Sequence, residues 1–162
     1  MEPIIRKATD ADGEQIIAIL NHYIIHSMAA YPSTPIPPQA WERFKSMCRP
    51  ECLWAMEMDG TVIGFGMLKW YMGQGSFDHS ADVGYFILPE YVGKGLGKKF
   101  LLHMEQEARQ MGITVMVANV SSQNPASLRF QQAMGYAECG RIPAVGIKHG
   151  QTFDIVWFYK NL

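Results

Sequence analysis

The chain has 162 residues, 48% of them hydrophobic, and a formal net charge of −1 at pH 7. That length and apolar content suit one globular domain over residues 1–162 with a sizeable core, and the near-neutral balance gives no basis for nucleic acid or an anionic membrane as partner. No apolar run approaches a membrane span, the opening MEPIIRKATDAD lacks the apolar centre of a signal peptide, and three cysteines without repeated spacing read as reduced thiols of a cytoplasmic protein.

In chain order, Ile4 to Lys7 reads as a first strand, and Thr9 or Asp10 can cap a helix whose apolar face is Ile16, Ile17, Leu20, Ile24 and Ile25. Residues 28–38 contain four prolines, which forbid regular structure; loops of this length in compact domains often serve as lids or binding loops. Pro38 suits the first turn of a second helix carrying Trp41, Phe44 and Met47 and ending near Pro50. Residues 53–58 and 61–71 flank Asp59-Gly60 and predict a hairpin, followed by a second polar loop at 72–80.

Residues 83–88 form a short apolar run stopped by Pro89, the pattern of a buried strand. Leu96, Phe100, Leu101, Met104, Ala108 and Met111 then recur mostly three or four apart, predicting a helix that Gly112 ends. Another branched strand covers 114–120. Asn124 can cap a last helix with Pro125 at its first position, buried through Leu128, Phe130, Ala133 and Met134 and stopped by Gly135. Two closing strands, 136–147 and 152–159, surround Lys148-His149-Gly150. The fold class is mixed α/β with a strand-helix-strand crossover at its centre.

That crossover contains Gly93-Lys94-Gly95-Leu96-Gly97. Glycines there let the backbone approach a ligand, and the first turn of the following helix offers N–H groups with no partner inside the helix. With the positive end of the helix dipole and with Lys94, Lys98 and Lys99, the segment suits a phosphate. Without a ligand the same residues are a glycine-rich turn with three solvated lysines. A dinucleotide fingerprint would need glycine at Lys98 or Phe100, and a P-loop would need glycine at Val92 and Ser or Thr at Lys99, so both fail. His22 and His26 have the spacing of a zinc pair, but Tyr23 stands where H-E-x-x-H has its glutamate, so no metal is expected. The eleven methionines read as adaptable packing, with Met28 and Met72 in the two loops expected to border a substrate.

The segment from Val92 to Gly97 resembles motif A of the GNAT N-acetyltransferases, a Q/R-x-x-G-x-G/A loop that binds the pyrophosphate of acetyl-coenzyme A through backbone amides. Val92 replaces the usual Gln or Arg. Asn124-Pro125-Ala126-Ser127 leading into Met134-Gly135-Tyr136 is similar to the start and end of that family's last helix. The tail GRIPAVGIKHGQTFDIVWF, with Asn21-His22-Tyr23-Ile24 and Pro38-Gln39-Ala40-Trp41, resembles the phosphinothricin acetyltransferase branch.

The resemblance implies the GNAT fold, a central mixed, mostly antiparallel sheet flanked by helices, with acetyl-CoA as cosubstrate, a small-molecule amine as acceptor and a homodimeric assembly. It implies that Val92, Gly93, Lys94, Gly95, Leu96, Gly97 and Lys98, together with Asn124 and Ser127, hold the coenzyme. The strand at 83–88 should splay from the one at 114–120, so that the backbone of Tyr85, Phe86 and Ile87 bonds the pantetheine arm and polarises the thioester.

The attacking amine must lose a proton, and the carbonyl needs a donor as charge builds on it. Asp82 is the candidate base, standing where the branch has a glutamate; being one methylene shorter, it would act through a water. The tyrosine that many members use as acid for the leaving thiolate falls on Gln131, which cannot supply a proton. Tyr31, Phe77 and His149 are the candidate acceptor-binding residues. In isolation Lys148-His149-Gly150 reads as a hairpin turn with a surface histidine. The branch's aromatic-Arg-Thr-Glu-Pro run is here Tyr31-Pro32-Ser33-Thr34-Pro35, without the arginine that would fork a substrate carboxylate; Arg141, Lys148 or another cation stays open as its replacement. The acceptor is read as an amino acid or an amino-acid-like toxin such as phosphinothricin or methionine sulfoximine. A less acidic amine, a peptide acceptor, and an acyl-CoA-binding regulatory module without catalysis are the alternatives.

Overall fold

The computed structural model of the chain describes residues 2–73 and 75–162. Its strands are β1 (Ile4–Lys7), β2 (Cys48–Met58), β3 (Thr61–Trp70), β4 (Ser80–Ile87), β5 (Val115–Ser121), β6 (Ala137–Lys148) and β7 (Gln151–Asn161). They form one seven-stranded sheet in the order β1-β2-β3-β4-β5-β7-β6. Every neighbouring pair is antiparallel except β4 and β5. That parallel pair is joined by the crossover helix α3 (Leu96–Gln110), as the central strand-helix-strand pattern requires. The mixed, mostly antiparallel sheet that the family resemblance implied is present.

Helices α1 (Gly13–His26) and α2 (Trp41–Ser46) cover one face of the sheet, and α3 with α4 (Pro125–Ala133) covers the other. Ile16, Ile17, Leu20 and Ile24 of α1 pack with Phe44, Ala55, Phe65 and Met67. Phe100, Leu101 and Met104 of α3 pack with Trp54, Ile63, Val83 and Ile87. A Cβ on Gly66 would stand 2.7 Å from Met104 Sδ, so the missing side chain lets α3 lie close on β3. A buried polar knot ties this layer: the Glu105 carboxylate accepts from Lys160 Nζ at 3.0 Å and from the Tyr136 hydroxyl at 3.1 Å.

Several boundaries move from their expected places. Thr9 and Asp12 form a capping box that opens a short 3-10 turn at Asp10–Asp12, and α1 follows at Gly13. Arg6 forks Asp12 at 2.8 Å and also binds Glu57, and the Asp12 carboxyl is held down to about 2 chiefly by the Arg6 hydrogen bonds. β2 starts at Cys48, earlier than the expected residue 53, because a register shift between Cys48 and Leu53 absorbs Pro50. β4 starts at Ser80, three residues ahead of the apolar run. Ser80 and Asp82 are polar, so hydrophobicity does not mark them, but they pair with β5. The Asp59-Gly60 turn forms as expected, with φ of 52° and 77° at the two positions. Position 74, in the second polar loop, lies outside the described residues.

Candidate active site

β4 and β5 are bonded only at their start, in the pairs Ser80–Val115, Ala81–Met116 and Asp82–Val117. β4 continues to Ile87 and β5 to Ser121, so from residues 83 and 118 onward the two strands part. A cavity of about 770 Å³ fills this split and is lined from both faces of the sheet. Side chains alternate along β4: Val83, Tyr85 and Ile87 face α3, whereas Phe86 packs on the α1 side. The cavity therefore passes through the sheet, with a half under α3 and α4 and a half under α1 and the loop at 27–37.

On the α3 side, Gly93 and Gly95 have φ of 81° and 78°. Gly95 is the residue preceding α3, and the first helical backbone bond is Lys99 N–H to Gly95 O at 3.1 Å. The amides of Leu96, Gly97 and Lys98 have no acceptor within the helix, which makes this end an anion cradle. Val92, Gly93, Gly95 and Gly97 line the cavity. Lys94 instead lies over the Tyr91 ring at 5.3 Å, Leu96 turns into the core, and Lys98 is exposed on the first turn. Lys99, paired with Glu2, is drawn away from the cradle. Across the cavity, the Asn124 side chain caps α4 by accepting from Ser127 N–H at 3.3 Å, and both residues are in the lining.

Asp82 sits where the split begins. Its Oδ2 is 3.4 Å from Lys69 Nζ, directly across the β3–β4 ladder, and its Oδ1 is buried without a hydrogen-bond partner among the described residues. Burial raises the Asp82 carboxyl above the ordinary aspartate value, and Lys69 opposes that rise. A base that is strained in its ionised form and has one oxygen free is suited to accepting a proton. The lining on this side is otherwise largely apolar and includes Met28, Tyr31, Phe44, Met47 and Met67.

The loop bearing Met28 and Tyr31 is fastened at three places. Lys148 Nζ, almost wholly buried, donates to Ser27 O at 2.8 Å and Ala30 O at 2.6 Å. Tyr31 stacks on Phe153 and its hydroxyl donates to Asn119 Oδ1 of β5 at 2.8 Å. The Asn21 side chain clamps Ile36 through both its N–H and its carbonyl. On the same side, the Tyr23 hydroxyl donates to Ile87 O, so that carbonyl already has a partner in the protein.

Of the residues singled out from the sequence, Asp82, Tyr85, Phe86, Ile87, Tyr31, Asn124, Ser127 and the glycine turn come together around one cavity. Phe77 and His149 do not join them. Phe77 packs edge-on against Tyr71 at 5.8 Å. His149 and Gly150 form a two-residue turn with φ of 49° and 71°, which leaves the histidine exposed beyond the end of β6. Arg141 pairs with Asp154 at 3.3 Å, and neither it nor Lys148 lines the cavity. Lys69 and Asn119, which no sequence pattern marked, do line it. No cluster of His, Cys, Asp or Glu able to hold a metal occurs among the described residues.

The model of the family described as Acetyltransferase (GNAT) matches residues 17–136, which include the glycine turn, both splayed strands and α4. The chain belongs to the GNAT acetyltransferase family. It is an acetyl-CoA-dependent N-acetyltransferase, as its resemblance to motif A implied. It is 31% identical to the L-amino acid N-acyltransferase MnaT of Escherichia coli K12, over 98% of this chain and 93% of that one. Identity to the L-methionine sulfoximine/L-methionine sulfone acetyltransferase of Salmonella typhimurium is 30%, over 98% and 94% of the two chains. The structure of yncA from Salmonella typhimurium with its cofactor acetyl-CoA is similar to this GNAT chain with a TM-score of 0.89 and 29% identity, covering 100% of this chain and 95% of the other. The open half of the split, with free amides at one end and an acid at the other, fits an acyl-pantetheine laid between the strands.

Proposed function

We propose that this GNAT enzyme acetylates the α-amine of a small amino acid or amino-acid analogue with an apolar or sulfur-containing side chain. The observation that carries the reading is the Lys69–Asp82 pair where the split begins, one cation and one anion 3.4 Å apart in a cavity also lined by Met28, Met47, Met67 and Phe44. An amino acid presents an ammonium and a carboxylate on adjacent carbons. Asp82 takes the ammonium proton, directly or through a water, and Lys69 meets the carboxylate in place of the absent arginine. The methionine wall is polarisable and adapts to an irregular side chain. The activities of the two relatives, on L-amino acids and on methionine sulfoximine and sulfone, support the same acceptor class.

The glycine cradle takes the diphosphate of acetyl-CoA through the amides at the start of α3, with Asn124 and Ser127 opposite. The β4 backbone at Tyr85 and Phe86 takes the arm. Because the loop at 27–37 is fastened to β6, β5 and α1, the acceptor side is closed to a peptide chain. The three free thiols fit a cytoplasmic enzyme. Pairing of two copies through β6 is supported by its free edge and by exposed Ile142, Val145 and Ile147; a monomer mass in light scattering would count against it.

The substrate reading is tested by following coenzyme thiol release with apolar and thioether L-amino acids and their α-carboxamides. Removing the carboxylate is expected to raise KM about tenfold in the wild type, a modest value because Lys69 is partly solvated, and to have little effect in Lys69→Met. Equal KM values for acid and amide in the wild type would contradict the reading.

A further inference from the structure

The α3 face of the split holds a polar pair that neither the diphosphate cradle nor the Asp82 site uses. Tyr85 of β4 and Gln131 of α4 both line the cavity. Gln131 Nε2 donates to the Tyr85 hydroxyl at 3.0 Å. Gln131 is only 3% exposed, and its Oε1 is buried with no hydrogen-bond partner among the described residues. The Tyr85 oxygen is already accepting, and its own hydrogen meets no protein acceptor among the described residues. An O–H donor and a carbonyl acceptor thus stand side by side, unmet, next to the apolar lining residues Phe130, Val83 and Ala118. Turning the amide over would spend the Tyr85 proton on Gln131 Oε1 and leave Nε2 as the unmet atom, so an outside partner is needed in either orientation, and in the orientation present the free donor is the Tyr85 hydroxyl. Buried polar groups without partners are costly, which points to a ligand that completes them.

The ligand is narrowed by shape. A trans amide presents its N–H and C=O on opposite sides, so neither amide of a pantetheine arm satisfies both adjacent groups. A single atom that accepts and donates does so, and the arm of the free coenzyme ends in one, its thiol. Building on the acetyl-CoA reading above, we propose that Tyr85, aimed by Gln131, donates a hydrogen bond to the coenzyme sulfur as it leaves, and that the pair then holds the free thiol. When the amine nitrogen forms its bond to the acetyl carbon and the carbon–sulfur bond breaks, the electron pair stays on sulfur and the remaining amine proton goes towards Asp82, which has passed the earlier ammonium proton to solvent. Tyr85 keeps its own proton throughout. Burial raises the phenol above its usual range, so it acts as a hydrogen-bond donor and not as an acid. The thiolate takes its proton from solvent. Tyr85 thereby performs at the sulfur what Gln131 alone cannot.

The test compares binding of coenzyme A and desulfo-coenzyme A by calorimetry between about pH 6 and pH 9, which spans the usual thiol range. In the wild type, coenzyme A is expected to gain about tenfold in affinity over desulfo-coenzyme A as pH rises and the thiolate forms. In Tyr85→Phe that gain, read as the ratio of the two affinities at each pH, should vanish. Gln131→Leu, which leaves the phenol unaimed, should lose most of it and serves if Tyr85→Phe is unstable. A wild type that binds both ligands equally at every pH, or a Tyr85→Phe enzyme that keeps the gain, overturns the inference. Failure of the wild type to bind either ligand would instead overturn the acetyl-CoA site itself.

Discussion

Replacing Lys148 by methionine separates the fastening of the acceptor loop from the stability of the whole domain. Lys148 reaches from the end of β6 to the carbonyls of Ser27 and Ala30, at 2.8 and 2.6 Å. Methionine has nearly the same reach and no donor. Each lost bond contributes about 1 kcal/mol net, so the closed loop loses about 2 kcal/mol relative to an opened one in which the carbonyls meet water. For the protein as a whole the loss is offset, because an ammonium no longer has to be buried. Steady-state kinetics should therefore give an acceptor KM up to about 30-fold higher, with the acetyl-CoA KM unchanged and Tm moved by only a few degrees. Burial also lowers the Lys148 ammonium below the usual lysine value. Between that lowered value and the ordinary one the unfolded chain binds the extra proton, so the wild type gains stability as pH rises through this window, and Lys148→Met should not. A neutral amine retains two N–H groups, enough for both carbonyls. Acceptor and coenzyme KM values rising together would refute the assignment of Lys148 to the loop.

Asp82→Asn should lower kcat by about a hundredfold or more and remove the acid limb of the pH–rate profile, leaving acetyl-CoA affinity intact. Because Asp82 has a raised folded pKa, its ionisation costs stability as pH rises through that value. The variant should therefore melt higher than the wild type at neutral pH but not at low pH, where both side chains are uncharged. Gly97→Ala makes an instructive contrast. A Cβ there meets Phe130 at an ordinary 3.5 Å and the motif takes alanine as well as glycine at this position, so the variant should fold with Tm unchanged or raised by about 1–4 °C and keep its acetyl-CoA affinity in calorimetry. Gly95→Val instead places a branched side chain at φ 78°, and should lose both binding and about 1–2 kcal/mol of stability in denaturant titration.

What could be read from the sequence was local. The Asp59-Gly60 hairpin, the Asn124 cap and the glycine turn into α3 each depend on residues within a few positions of one another, and each appears where expected. The split between β4 and β5 came from resemblance, since no property of Val83 or Ala118 marks where a ladder stops. Lys69 escaped notice because its meeting with Asp82 depends on the register across a loop too long to fix it, unlike a two-residue hairpin. The Tyr85–Gln131 bond needs the packing of α4 onto β4, a tertiary fact with no trace in spacing. At the β6–β7 turn the resemblance drew attention to His149. The register there instead makes Lys148 the last inward-facing residue of its strand, and leaves the histidine at the tip.

A crystal structure of the enzyme with acetyl-CoA tests the account most directly. The diphosphate should lie on the amides at residues 93–98, with the arm running between β4 and β5 and the thioester sulfur within hydrogen-bond reach of the Tyr85 hydroxyl. Density for the coenzyme elsewhere on the surface, with β4 and β5 closed on each other beyond Asp82, would contradict it.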